Sequence, residues 1–388
     1  MNVQYNYEKH CFECNVNDVW LPITSGYDES SLYIPTQIDR YRLEVALTCN
    51  LKCRYCVVHM NNVSQQNTNM SMGTAVSIVE KFNNEVGEKG SIFLMGGEPL
   101  TNIPVVKYII ENAKGSSIIF TNALFLRSDL IDFFYRHGTY ILTSLDGYNY
   151  EQNKKRFWPH VEKNFELVTA NIKKAIERGC NVGVSCLLHK DNICDAVKIA
   201  EYFRDELRAK AMSFSYPHST VEHSEESDFI FSDYTEQLKR LYIFSKNNKI
   251  YVDQIAKIVS CLYGTYPALI GCKAGTTQRT FYPDGSETIC TKIDTLCDFD
   301  VNQYIQDLPF QNVSCRKCKA RYLCTGECPW DYAVASLKNE KHERVCAFKR
   351  DLVSYIISDI CSELSRANSV EEARLILKQT FLPMIKNL

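Results

Sequence analysis

Apolar and polar positions fall into a repeating two-part pattern from residue 41 onward. YRLEVALT (41–48) alternates, with Leu43, Val45 and Leu47 on one face, and reads as a strand. Further strands are predicted at 91–95, 117–121, 139–144, 181–187 and 210–216, with near-continuous apolar cores such as SIIFT and YILTS. Between them, helical spacing recurs at 73–86, 102–113, 127–137, 161–178 and 192–205. Ser71 is placed to cap the first of these, with Val76, Val79 and Phe82 spaced for burial. Six apolar strands alternating with helices predict an α/β fold with a parallel sheet. A partial (β/α)6 TIM-type barrel and a doubly wound sheet share this local pattern, and periodicity does not separate them. Beyond it lie a helix at 232–246 and a segment rich in Ile, Val and Tyr at 249–263. A hairpin turn is expected at 281–286, then helices to about 364 and over 369–382. The chain divides into a polar, aromatic extension (1–40), the α/β region (41–248), a bridging and cysteine-rich region (249–350) and C-terminal helices (351–388).

Polar groups gather where the predicted strands end, which is where α/β proteins keep their chemistry. Cys49, Cys53 and Cys56 follow the first strand. A [4Fe-4S] cube usually takes four Cys ligands, so three leave one iron open to an exogenous ligand. A zinc site, completed by His59, is the alternative reading. Gly96-Gly97-Glu98-Pro99 follows the second strand; the glycines allow close backbone approach, and Glu98 is an anionic acceptor. Thr121-Asn122 closes the third strand. Ser144 and Asp146 close the fourth, a hydroxyl and a carboxylate suited to ribose, although Asp146 also fits a turn. Cys11 and Cys14 form a CxxC pair with four readings: metal half-site, redox dithiol, part of substrate binding, or free thiols on a loosely docked segment. Cys180, Cys186 and Cys194 have no ligand spacing and read as core or helix thiols, and Cys297 as a spare thiol. Residues 217–229, with His218 and His223, read as a mobile loop or, less simply, a metal pair.

Composition narrows the field. Of 388 residues, 45% are hydrophobic, enough for a full core and a smaller second module. The net charge of −2 gives no global attraction to nucleic acid or anionic membrane. No apolar run reaches membrane-spanning length, and MNVQYNYEKH lacks the order of a signal peptide. Eighteen Cys without a secretion signal therefore point to metal or cluster ligation in a reducing cytoplasm.

The Cx3CxxC spacing of Cys49, Cys53 and Cys56, with Tyr55 before the last Cys, resembles the signature of the radical S-adenosylmethionine (SAM) enzymes. GGEP at 96–99 matches their SAM-amino motif, and Ser144-Leu145-Asp146-Gly147 resembles the S-x-D-G of SPASM-type members. Downstream, Cys272-x12-Gly285-x4-Cys290 and Cys315-x2-Cys318-x5-Cys324-x3-Cys328, closed by Cys346, resemble the SPASM domain. The resemblance covers about residues 41–350. It implies three [4Fe-4S] clusters and SAM. The SAM cluster would take Cys49, Cys53 and Cys56. A near auxiliary cluster would take Cys261, Cys272, Cys290 and Cys328, and a far one Cys315, Cys318, Cys324 and Cys346. SAM contacts would come from Tyr55, Gly96, Gly97, Glu98, Pro99, Asn122, Ser144, Asp146, Ser185 and Leu187. Two departures stand out: Ala123 replaces the glycine of the family's TNG, which an ordinary backbone angle there would explain, and Glu327 lies where relatives often have glycine.

The activity this implies is maturation of a ribosomally made precursor peptide by an oxidative crosslink, in which a 5′-deoxyadenosyl radical abstracts hydrogen and an auxiliary cluster accepts an electron. The competing readings are formylglycine formation, small-molecule dehydrogenation, peptide epimerisation and a non-catalytic iron–sulfur redox sensor. The formylglycine branch places an Asp base after the second hairpin Cys, where this chain has Thr291. Asp294, Tyr282 and Glu327 are the candidate bases. Implied partners are the precursor peptide and an electron donor such as flavodoxin or ferredoxin; residues 1–40 are too few for the family's leader-binding module, so leader binding falls to a separate protein, to residues 217–229, or is not needed.

Overall fold

The computed structural model describes the chain except residues 28–31, 57–68, 219–229, 264–270, 294–299, 310, 325, 327, 338–342 and 386–388. His59, His223, Asp294, Cys297 and Glu327 therefore lie outside the described residues. The chain forms two compact units that are not contiguous in sequence. One, the sheet unit, comprises 35–228 and 273–299; the other, the helical unit, comprises 1–34, 229–272 and 300–388.

The first residues are not a loose extension. Strands β1 (Asn2–Asn6), β2 (Cys11–Val16) and β3 (Val19–Pro22) form an antiparallel sheet, with Cys14 opposite Val3 and Leu21. Cys11 and Cys14 are both buried. The terminal amine donates to Ser365 O at 2.8 Å, which ties this sheet into the helical unit.

The sheet unit follows the predicted alternation. Strands β4 (Arg40–Ala46), β5 (Ser91–Gly96), β6 (Ser116–Thr121), β7 (Tyr140–Ser144), β8 (Val182–Leu187) and β9 (Ala211–Ser215) are parallel and lie side by side in chain order. A doubly wound sheet needs a reversal in strand order. None occurs here, so right-handed crossovers wind the helices in one direction. These helices are α1 (Met72–Glu85), α2 (Ile103–Asn112), α3 (Ser128–Arg136), a short α4 (Lys154–Phe157), α5 (Val161–Arg178) and α6 (Ala196–Asp205). Ser71 caps α1 by accepting from Thr74 N at 3.0 Å. Ala75, Ile78, Val79 and Phe82 are its buried face. Tyr41, Leu43 and Val45 of β4 are fully buried, while Arg42 and the intervening Glu44 point to the other face of the strand.

Helices α7 (Phe231–Asn248) and α8 (Asp253–Leu262), separated by the two-residue β10 (Tyr251–Val252), belong to the helical unit. The hairpin β11 (Gln278–Phe281) and β12 (Glu287–Thr288) returns to the sheet unit, where β11 pairs in parallel with β4. Arg279 fastens it by pairing with Glu85 at 2.7 Å and Glu287 at 2.6 Å. The helical unit ends with α9 (Val301–Gln306), α10 (Pro329–Leu337), α11 (Glu343–Leu364) and α12 (Val370–Ile376). Lys246 of α7 bridges Asp359 and Glu363 of α11 at 2.6 and 3.1 Å. Among the described residues no helix is long and apolar enough to cross a membrane.

Candidate active site and cluster sites

The C-terminal end of β4 runs directly into the three-cysteine loop. Its thiols are unpaired and half-exposed. Leu51 N and Asn122 Nδ2 point at Cys49 Sγ from 3.4 and 3.8 Å. Such N–H donors suit a thiolate ligand. Burial pushes the thiol of Cys49 up to about 11 and that of Cys53 up to about 12. A bound cation reverses this, because a coordinating thiol is deprotonated. No three thiols among the described residues have sulfurs within 4.8 Å of one another, the spacing expected around a single ion. Three thiols on one loop are the donor set that an open-iron cube needs.

GGEP lies beside this loop, and its glycines approach the protein's own chain closely. A Cβ at Gly96, where φ is +130°, would sit 2.1 Å from Ala46 O. One at Gly97 would sit 2.5 Å from Thr48 O. The close approach lets Gly97 N and Glu98 N donate to Ala46 O and Thr48 O at 2.7 and 2.9 Å. Glu98 is wholly buried. Its carboxylate accepts from Leu100 N (3.0 Å), Thr121 Oγ1 (2.8 Å) and Asn122 N (2.7 Å). Burial nevertheless raises its pKa from 4.5 to about 7. Between those two pH values the folded state holds the extra proton, so stability falls as pH rises from 4.5 to 7 and levels off above. The group's contribution to that fall is up to about 3 kcal/mol. Thermal melts of the SAM-free protein should show this slope, and Glu98→Gln should flatten it.

Asn122 also donates to Asn50 Oδ1 at 2.7 Å. The next residue, Ala123, does not have an ordinary angle: it is buried at φ +61°. The left-handed turn is kept without glycine, at a steric cost of roughly 1–2 kcal/mol. Asn171 Nδ2 helps hold it, donating to Ala123 O at 2.8 Å.

Ser144, Ser185 and Ser213 lie in register on three adjacent strands. Ser213 Oγ donates to Ser185 Oγ at 3.0 Å, which makes a hydroxyl row. Ser213 was not singled out from the sequence; its half-exposed place within the alternation of β9 is the signal that marks it. Asp146 is fully buried and its carboxylate is engaged with the protein. It accepts from Arg156 Nη2 and Nε (2.9 and 3.0 Å), from Leu187 N (3.0 Å) and from the Tyr55 hydroxyl. Arg54 N donates to Lys155 O at 2.9 Å, and the Cys53 thiol contacts Arg156 O at 3.4 Å. Asp146 and α4 therefore clamp the cysteine loop to the ends of β7 and β8.

One residue of this region went unseen in the sequence. Glu44 is 2% exposed. Thr291 Oγ1 donates to its Oε1 at 2.9 Å, and Arg42 Nη2 lies 3.4 Å away. A Cβ at Gly96 would come within 3.3 Å of its Oε2. The carboxylate thus stands between the GGEP strand and the Cys290 hairpin. Tyr282 donates its hydroxyl to Thr291 O at 3.2 Å, beside this group.

The far set of cysteines is brought together. Cys315, Cys318, Cys324 and Cys346 all line one cavity of about 350 Å³ in the helical unit. Cys346 stands on α11. The cavity and its four donors fit a cube. The near set is divided: Cys261, Cys272 and Cys328 belong to the helical unit and Cys290 to the sheet unit.

Residues 43–203 match the family model of the radical SAM superfamily. Residues 43–203 therefore form a radical SAM domain. Among curated relatives of this radical SAM chain is a "Probable GTP 3′,8-cyclase" of Methanococcus maripaludis, 33% identical over 149 residues. That match covers 37% of the chain and only about half, 47%, of the relative. Among solved structures, native anSMEcpe with bound AdoMet has a similar fold (TM-score 0.68, 19% identity, 83% of this chain and 99% of that one). Streptococcus suis SuiB bound to precursor peptide SuiA has a TM-score of 0.56 at 16% identity, covering 79% and 74%.

Proposed function

We propose that this radical SAM enzyme removes two electrons from a peptide side chain, turning Ser into an aldehyde of the formylglycine type, or Cys into a thioaldehyde that water converts to the same aldehyde with release of hydrogen sulfide. The cluster held by Cys49, Cys53 and Cys56 would supply SAM binding at its open iron and the electron for SAM cleavage. The rest falls to the chain. Glu98 and the Ser144–Ser185 row orient the cofactor, and the Asp146–Arg156 clamp fixes the loop that carries it. A side chain that has lost a hydrogen atom must still lose a proton and an electron.

The observation that carries this reading is the contact of Glu44 with Thr291. It brings a carboxylate to the hairpin position where the formylglycine branch needs its base and where this chain has Thr instead of Asp. A peptide substrate is supported by the fold shared with anSMEcpe, which was also solved with AdoMet and a Cp18Cys peptide. Oxidative crosslinking is the second reading; the fold shared with SuiB and the absence of Asp after Cys290 favour it.

The test is anaerobic incubation with SAM, reductant and Ser- or Cys-containing peptides encoded beside the gene, read by mass spectrometry. Loss of two hydrogens from a Ser peptide that then forms a hydrazone identifies an aldehyde. The same loss without a hydrazone identifies a crosslink and overturns the first reading. Glu44→Gln should slow product formation by about 100-fold or more, the usual worth of a general base, while 5′-deoxyadenosine release continues. Equal loss of both would instead make Glu44 a part of the SAM site.

A further inference from the structure

The face of the sheet turned away from the helices carries charge where a parallel strand ordinarily shows an apolar run. Alternation in β4 sends Tyr41, Leu43 and Val45 toward the helices, where the Tyr41 ring meets Phe82 of α1 at 5.2 Å. Arg40, Arg42 and Glu44 take the opposite face. Strand register extends that face over Phe93, Phe120 and the Ser144–Ser185–Ser213 row on one side of β4, and over Thr280 on the other. Along the described strands of this face the charged side chains are Arg40, Arg42 and Glu44, two cations to one acid.

The two cations are held differently. Arg40 lies over the Phe93 ring, 4.2 Å from its centre, a contact that keeps it against the sheet. Phe93 meets Phe120 in turn at 5.6 Å. Arg42 stands in register between Phe93 and Thr280, in the middle of the face, and its side chain is 18% exposed, which leaves it within reach of a ligand. Its Nη2 is 3.4 Å from Glu44 Oε1, longer than the about 2.7–2.9 Å of a full charge-assisted hydrogen bond. That oxygen already accepts from Thr291 Oγ1. A guanidinium fork matches a carboxylate bidentately, and an excess of positive charge on a largely buried face draws an anion. Arg42 precedes Glu44 by two residues, roughly 6.6 Å along the strand, which is also the spacing of side chains two apart in an extended peptide.

We propose that Arg42 sets substrate specificity by binding a carboxylate of the peptide while Glu44 serves the residue being oxidised. The inference rests on the reading of Glu44 as the base of a peptide-oxidising site. The carboxylate is the side chain of an Asp or Glu two residues from the oxidised Ser or Cys, or the C-terminus of a peptide that ends there. Arg42 binds and orients; no bond forms or breaks at it.

The test reads binding first, from the anisotropy of fluorescein-labelled peptides on the iron- and SAM-loaded full chain without reductant. One set of peptides carries a central Ser with Glu, Gln or Lys two residues away on either side. A second set ends two residues after the Ser, as free acid or amide. The wild type should bind a carboxylate form at least about 30-fold more tightly than its amide, the lower bound for truncating one partner of a buried charge pair. A preference in the first set assigns the site to a side chain, and one confined to the second assigns it to the C-terminus. Arg42→Gln should abolish the preference, and Arg42→Glu should turn it toward the Lys peptide. Under turnover, exchanging the peptide's acid for its amide should raise KM and leave kcat within about threefold. A residue that merely positioned Glu44 would instead lower kcat for acid and amide alike. Equal binding of acid and amide by the wild type, or binding of neither, overturns the proposal, and that comparison needs no variant that might misfold. The reading of Glu44 fails separately: Glu44→Gln would then keep the full rate of product formation while the preference for the acid persists.

Discussion

Cys53→Ala should reduce SAM cleavage to background. Even the outer partners of metal ligands are worth 10–100-fold in affinity or activity, so loss of a ligand itself should exceed about 100-fold. Cys53 is one of only three thiols on its loop. The chain near it offers no spare: Arg54 and Tyr55 follow, and the next thiol, Cys56, is already in the set. The measurement is 5′-deoxyadenosine release from SAM under dithionite, beside iron content. The variant should lose about four irons per chain while keeping the iron of the auxiliary region. Cys186→Ala is the control. That thiol is fully buried on β8, and burial pushes its pKa well up, so it is a core group without a ligand's role. SAM cleavage by Cys53→Ala at wild-type rate would remove the three-cysteine loop from the chemistry altogether.

The sequence carried the alternation of strands and helices well, because a parallel strand covered on its outer face shows a continuous apolar run such as SIIFT. Motifs at strand ends were equally legible, since their spacing is set by local chain geometry. What escaped was whatever depends on contacts between distant segments. Glu44 reads as an ordinary polar position in YRLEVALT; only the hairpin folding back beside β4 brings Thr291, 247 positions away, against it. The N-terminal segment looked unsupported because its partners lie at Ser365 and Ala367. The glycines of GGEP were legible as special, yet the atoms that require them, Ala46 O and Thr48 O, belong to the end of β4 and the loop after it. At Ala123 the expectation of a relaxed angle failed because Thr121 Oγ1 and Asn171 fix both sides of the residue's backbone. Single-strand order was similarly out of reach: the same helix and strand spacing serves winding in one direction or two, and only the pairing register decides.

Arg156→Met should destabilise the protein more than any other single change in the sheet unit. The substitution keeps the length of the side chain but leaves Asp146, which is wholly buried, without its countercharge. Removing one partner of a buried ion pair costs about 3–5 kcal/mol. At roughly 2–4 °C per kcal/mol for a unit of this size, the melting temperature should drop on the order of 10 °C. Function should suffer through position rather than chemistry. The Tyr55 hydroxyl and Leu187 N share the same carboxylate, and the cysteine loop hangs from α4 through Arg54 and Cys53. Iron loading of the Cys49–Cys56 loop should therefore fall along with stability. Asp146→Asn alone should also destabilise, since it leaves a buried guanidinium unpaired. The double variant Asp146→Asn/Arg156→Met is the informative one. It buries no charge, and the new amide oxygen can still accept from Leu187 N. It should recover most of the lost melting temperature, giving a coupling of at least about 3 kcal/mol between the two sites, at the upper end for residues in one network. Losses that simply add would mean that the pair is not the clamp, and that packing of α4 against the loop holds the cluster strand in place.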